Sequence, residues 1–168
     1  GIGLQGQVPA ELATKCWMYF PEDNSPFYRV TVFSNYSPQN VPRPGEQWSL
    51  MCEVSESPEK PVDSATVVED VVQGLINCKL ITADDEIVSR WNKRLEYGYP
   101  TPWKGRDEVL NPVNEALTGM DLYSRGRFGT WKYEVSNQDH SVMQGVEAVN
   151  HILNGEDERT YYGDMSDS

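Results

Sequence analysis

The segment Gly126-Arg127-Phe128-Gly129-Thr130-Trp131-Lys132-Tyr133-Glu134-Val135-Ser136-Asn137-Gln138-Asp139-His140-Ser141 constrains this chain more than any other. It leads from a charged, aromatic, strand-like stretch into a capped helix start. Arg127 supplies a planar fork of donors that fits phosphate oxygens, and Tyr133 and Asn137 follow at spacings that keep them near the same end of the structure. A helix opening near His140 brings free backbone amides and a partial positive charge to that end. Gly126 and Gly129 leave room for a backbone or a ligand to come close.

Periodicity predicts strands first. Cys16 to Phe20 is aromatic and apolar, and Phe27 to Asn35 alternates in part, with Glu22-Asp23-Asn24-Ser25-Pro26 as turn chemistry between them, so the two pair as a hairpin. Gln39 to Glu46 reads as a surface loop and Trp48 to Val54 as a further strand. Asp63 or Ser64 caps a helix whose Val67, Val68, Val71, Val72, Leu75 and Ile76 form a core stripe. Ile87 to Glu96 reads as a strand that runs on into the non-helical Tyr97-Gly98-Tyr99-Pro100-Thr101-Pro102. Asp107 to Leu117 is a short helix carrying Pro112 and ended by Gly119. Tyr123 to Tyr133 reads as a strand broken by Gly126 and Gly129. The last helix runs from near His140 to Gly155 and presents Val142, Met143, Val146, Val149, Ile152 and Leu153. Glu156 to Ser168 reads as a disordered acidic tail.

Gly1-Ile2-Gly3-Leu4-Gln5-Gly6 satisfies G-x-G-x-x-G, yet the fingerprint works only where a strand feeds it and a helix leaves it. Gln7-Val8-Pro9 is a poor helix start, so this segment reads as a glycine-rich extended stretch. A formal charge of −12 over 168 residues argues against nucleic-acid or anionic-membrane binding, while a local arginine pocket stays compatible with it. Cys16, Cys52 and Cys78 are odd in number and far apart, which suits neither a zinc spacing nor a disulfide framework and reads as reduced thiols in the cytoplasm. No apolar run approaches the roughly 20 residues that cross a bilayer.

Several motifs in one order resemble the eukaryotic-type UDP-galactopyranose mutases, which are flavoenzymes. They are the segment 126–141 and Lys15-Cys16-Trp17-Met18-Tyr19-Phe20-Pro21-Glu22-Asp23-Asn24, with Pro26-Phe27-Tyr28-Arg29, Phe33-Ser34-Asn35-Tyr36-Ser37-Pro38 and Gly98-Tyr99-Pro100-Thr101-Pro102. The loop between Ser37 and Trp48 is short where relatives often carry an insertion. The family's N-terminal Rossmann portion has no counterpart in this sequence, so the resemblance covers the C-terminal portion.

The resemblance implies an α+β fold, with an antiparallel substrate-domain sheet, flanking helices and a C-terminal flavin-contacting helix. The expected domains are 1–120 for the sheet and its helices, 121–155 for the last strand and FAD-contacting helix, and 156–168 for the tail. Arg29 and Arg127 match the arginines that grip the substrate diphosphate and act in catalysis, Tyr99 and Tyr133 match tyrosines bonded to it, and Trp17 and Tyr19 match aromatics of the cleft. Asn137, also on the substrate side, matches the flavin-side segment with Gln138 and Ser141. Taken without the family, Arg29 reads as a surface charge, Tyr99 and Tyr133 as half-buried packing residues, and Trp17 as core.

The implied reaction interconverts UDP-galactopyranose and UDP-galactofuranose with reduced FAD and no metal. The implied partners are UDP-galactose in either ring form and the missing flavin-binding portion, or a subunit that carries it. The chain alone is expected to be inactive, since most of the flavin grip lies elsewhere. The alternative is a truncated, non-catalytic relative that serves as a protein- or nucleotide-binding module.

Overall fold

The computed structural model describes residues 1–162. The chain packs as two compact units, one spanning Gly1–Arg94 and a second that starts at Leu95. In the first, strands β1 (Ile2–Gln5), β2 (Trp17–Tyr19), β3 (Arg29–Val32), β4 (Gln47–Glu53) and β5 (Ile87–Arg90) form one sheet in the order β2-β3-β4-β1-β5. Every pairing in it is antiparallel. The expected hairpin is β2 with β3, in register Trp17 to Thr31 and Tyr19 to Arg29.

Period-two alternation places Ile2, Leu4, Val30, Val32, Trp48 and Leu50 together in the core. Helix α1 (Val67–Asn77) adds Val67, Val71 and Leu75 to that core, as its apolar spacing predicts. Neither Asp63 nor Ser64 caps it: the N-cap is Thr66, without a side-chain cap bond, and the Asp63 carboxylate instead accepts the Ala65 amide at 2.8 Å in the turn before the helix. Gly74 lets the helix approach the turn before β3, because a Cβ there would stand 2.8 Å from Pro26 Cδ. The glycine-rich start of the chain is strand β1, which is followed by Gly6 at φ +102 and feeds turns, not a helix. The dinucleotide fingerprint is thus only apparent. Strand β5 stops at Arg90, so the stretch to Glu96 is mostly irregular backbone.

The second unit contains α2 (Arg106–Thr118), α3 (Gln138–Asn154) and α4 (Arg159–Tyr162). The sequence reading grouped α2 with the sheet, whereas it falls in this second unit. Gly119 follows α2, and Gly155 at φ +73 ends α3 in the left-handed conformation that favours glycine.

Two features of this unit differ from expectation. Tyr123 to Tyr133 is not a strand: residues 126–130 form a turn, Trp131 takes φ 52, and Tyr133–Val135 is a 3-10 turn. Gly126 at φ +82 starts the turn, and Gly129 packs against the Arg125 backbone, where a Cβ would lie 2.3 Å from the carbonyl oxygen. The two glycines that were read as breaks in a strand instead fold the segment into a turn.

The acidic stretch after Gly155 holds a short helix, α4, in place of the expected disorder from 156 onward; residues 163–168 lie outside the described residues. Buried contacts order it. Arg125 Nε and Nη2 donate to the Glu158 carboxylate at 2.5 and 2.6 Å, and the Glu147 carboxylate accepts from the Thr160 amide and hydroxyl, each at 2.9 Å.

Helix α3 keeps its apolar side bare. Its apolar residues Val142, Met143, Val146, Val149, Ile152 and Leu153 are exposed, from 48% to 74%. Its inward face is Gln144 and Ala148, with Ser141, Glu147 and His151 half-buried. The interior of this unit is correspondingly polar, with Thr130, Ser136, Gln144, Glu158 and Thr160 buried beside Val135, Ala148 and Tyr161.

Candidate functional site

In the first unit, β2, β3 and β4 place one row of side chains on the sheet face opposite Val30 and Val32. Register puts Tyr19 beside Arg29 and Arg29 beside Glu53. Arg29 Nε and Nη2 donate to Glu53 at 2.8 and 2.7 Å, and the Tyr28 hydroxyl donates to the same carboxylate at 2.7 Å. The Arg29 guanidinium carbon lies 5.8 Å from the Trp17 ring centre and 5.9 Å from that of Tyr19, both exposed side chains. Arg29 is therefore no loose surface charge. It is oriented by a bidentate carboxylate and flanked by aromatic rings, two arrangements that suit arginine more than lysine.

In the second unit, the turn after Gly126 brings Arg127, Tyr99 and Tyr133 together. The Arg127 guanidinium carbon stands 4.8 Å from the centre of the Tyr99 ring, and the Tyr99 and Tyr133 rings are 5.8 Å apart and tilted. Arg127 Nε donates to the Ser136 carbonyl at 2.9 Å, and the Ser136 hydroxyl donates to the Tyr133 carbonyl at 2.9 Å. Both contacts tie the arginine to the backbone that carries Tyr133. A planar cation on an aromatic face, with one edge held by a carbonyl, keeps further N–H donors for an anion.

Asn137 caps α3 with extended backbone and no side-chain cap bond, and it and Gln138 are exposed. Ser141 is half-buried on the next turn, its amide donating to the Asn137 carbonyl at 2.9 Å. His140 Nδ1 is buried there without a partner among the described residues. These groups offer donors and acceptors at a helix N-terminus, which carries partial positive charge.

Four residues that sequence reasoning passed over, Gln144, Arg125, Glu158 and Arg106, hold this place together. Gln144 bonds the Gly126 amide and the Val135 carbonyl, and Arg125 fastens to Glu158. Arg106, at the start of α2, forks onto Glu134 at 2.9 and 2.7 Å, and these hydrogen bonds hold the Glu134 carboxyl below its ordinary range. A hollow of about 490 Å³ beside them is lined by Trp103, Arg106, Asp107, Glu108 and Glu134. The signal for Gln144 and Glu158 was available only in part. A glutamine among apolar neighbours and a glutamate in an acidic tail look solvated until the fold turns them inward.

All three cysteines are unpaired, and burial pushes the Cys52 thiol up to about 12. No cluster of metal-ligating side chains occurs among the described residues, and no helix among them is long and apolar enough to cross a membrane.

No family model matches the chain. Among solved structures it is similar to the crystal structure of a reduced UDP-galactopyranose mutase, with a TM-score of 0.90 and 52% sequence identity. The match covers 98% of this chain and 35% of that one, so the chain spans about a third of the solved relative's length.

Proposed function

Because this chain is a relative of one portion of UDP-galactopyranose mutase, we propose that it is the C-terminal part of such an enzyme, of the eukaryotic type, and supplies residues that contact the UDP diphosphate and the flavin. The observation that carries this reading is the seating of Arg127 on Tyr99 with Tyr133 beside it. A diphosphate is costly to bury unless paired, and an arginine fork pairs with it without losing its proton. Arg127 would bind the diphosphate of UDP-galactose, in its pyranose or furanose form, and stabilise the charge that grows on departing UDP.

Arg29 has the same proposed role in the first unit, with Trp17 and Tyr19 as aromatic walls for the substrate. Glu53 orients Arg29 and offsets its charge, so Arg29 contributes directed hydrogen bonds more than net attraction.

The residues at the start of α3 fit a flavin: Asn137, Gln138 and Ser141 present polar groups, and the unpartnered His140 nitrogen marks a polar atom that the described residues leave unsatisfied. Reduced FAD, when bound, supplies the electron-rich centre for a sugar isomerisation without net redox change. The remaining work falls to this chain's residues, which hold the nucleotide and set its orientation. The exposed apolar face of α3 supports a further element, a flavin-binding portion in the same protein or on another subunit, because a row of bare aliphatic side chains is a surface that gains by being covered. The chain without that portion is expected to be inactive.

Two measurements test the reading. Calorimetry with UDP should detect weak binding to the chain, and Arg127→Ala should weaken it roughly tenfold to a hundredfold, since a hydrogen bond to a charged group contributes about 1.5–3 kcal/mol. Binding that ignores Arg127→Ala, or no binding at all, defeats the site and favours the module without nucleotide. Mixing the chain with dithionite-reduced FAD and UDP-galactofuranose should form no UDP-galactopyranose. Turnover by the chain alone contradicts the proposed division of the flavin grip.

A further inference from the structure

The turn that carries Arg127 belongs to no strand, and a single side chain holds both of its ends. Gln144, on the inward face of α3, is fully buried. Its Oε1 accepts the Gly126 amide at 2.8 Å, and its Nε2 donates to the Val135 carbonyl at 2.9 Å. Arg127, Phe128, Trp131 and Tyr133 lie between those two points in the chain. A primary amide is well suited to this task, since it carries an acceptor and a donor on one rigid plane.

Gly126 is where the turn is organised. Its carbonyl accepts the Gly129 amide at 3.2 Å, the Thr130 amide at 3.3 Å and the Thr130 hydroxyl at 3.3 Å. Thr130 is itself fully buried. Gln144 fixes the other side of the same residue by taking its N–H. At the far end, Val135 adjoins Ser136, whose carbonyl holds Arg127 Nε. The amide of Gln144 therefore reaches the residue before Arg127 and the residue before Arg127's own acceptor.

We infer that Gln144 is a positioning residue: it sets the geometry of the Arg127–Tyr133 turn from within, without meeting a ligand, and through Arg127 it sets affinity for a nucleoside diphosphate. The affinity half rests on the function proposed above. The geometric half stands on the hydrogen bonds alone.

Gln144→Met tests it in the full chain, because methionine keeps the volume and helix preference while removing both hydrogen bonds. Amide hydrogen exchange by NMR should quicken at Gly126 by about tenfold or more, while amides of the first unit's β1 and β4 keep their protection. UDP affinity should fall by about tenfold. Arg127→Ala combined with Gln144→Met should then lose no more affinity than Arg127→Ala alone, which a general loosening of the fold would not produce. Unchanged exchange at Gly126, or additive losses in the double variant, overturns the inference. If the unaltered chain does not bind UDP, the proposed function fails, and faster exchange at Gly126 in Gln144→Met still supports the geometric role while unchanged exchange ends it.

Discussion

Truncating Arg125 to alanine is expected to cost the second unit about 3–5 kcal/mol of stability, the usual result of removing one member of a buried ion pair. The side chains of Arg125 and Glu158 are 10% and 5% exposed, and two hydrogen bonds join them. Burial alone would lower the pKa of Arg125, yet the bond to Glu158 and its charge raise it, so the pair folds as ions. The guanidinium also donates to the Ser124 carbonyl at 2.8 Å and lies 4.0 Å from the Tyr161 ring centre. Alanine removes all of these and leaves Glu158 buried without a counter-charge. Denaturant unfolding followed by tyrosine near-ultraviolet signals reads the loss. Arg125→Met combined with Glu158→Leu should recover most of it, because a matched apolar pair restores packing and strands no charge. A cost below about 1 kcal/mol for Arg125→Ala would mean that the pair behaves as a solvated surface bridge, which contradicts its burial.

Gly129→Ala is the second large effect expected, at roughly 3 kcal/mol, the upper part of the range for an added group forced into packed surroundings. Its Cβ would meet the Arg125 carbonyl oxygen at 2.3 Å and the Arg125 nitrogen at 2.5 Å, and backbone cannot swing aside as a side chain can. Gly126→Ala should cost less, about 1–2 kcal/mol, since its problem is a φ of +82 and the nearest side-chain atom to a new Cβ is 4.0 Å away. Thermal unfolding should rank the two in that order. Equal or reversed costs would mean that the turn does not close on Arg125 as described.

Much of the first unit was legible from residue pattern. Turn chemistry between two aromatic strands marked the β2–β3 hairpin, and the valine and leucine spacing of α1 marked its buried face, because a side chain's periodicity reports burial whenever one face meets an apolar core. The second unit broke that rule. The Val142 to Leu153 stripe has helical spacing and so gave α3 correctly, but the stripe faces outward and the helix packs through Gln144 and Ala148. Periodicity says that one face differs from the other; it does not say which neighbour the apolar face awaits.

The candidate site divides along the same line. Motifs alone marked Arg127, Tyr99 and Tyr133, and they prove to be neighbours. They could not reveal Gln144, Arg125 or Glu158, whose partners lie 18 and 33 residues away in the chain.

By itself the sequence determined the β2–β3 hairpin, the core stripe of α1 and which chemical groups are present, since propensity, turn residues and side-chain type are local properties. Tertiary structure alone decided that Gln144 ties the turn before Tyr133 to α3, that Glu158 of the acidic stretch is buried against Arg125, and that Glu53 holds Arg29. Each of those outcomes depends on a partner distant in sequence, and the free energy of a buried polar group is set by that partner rather than by the residue that carries it.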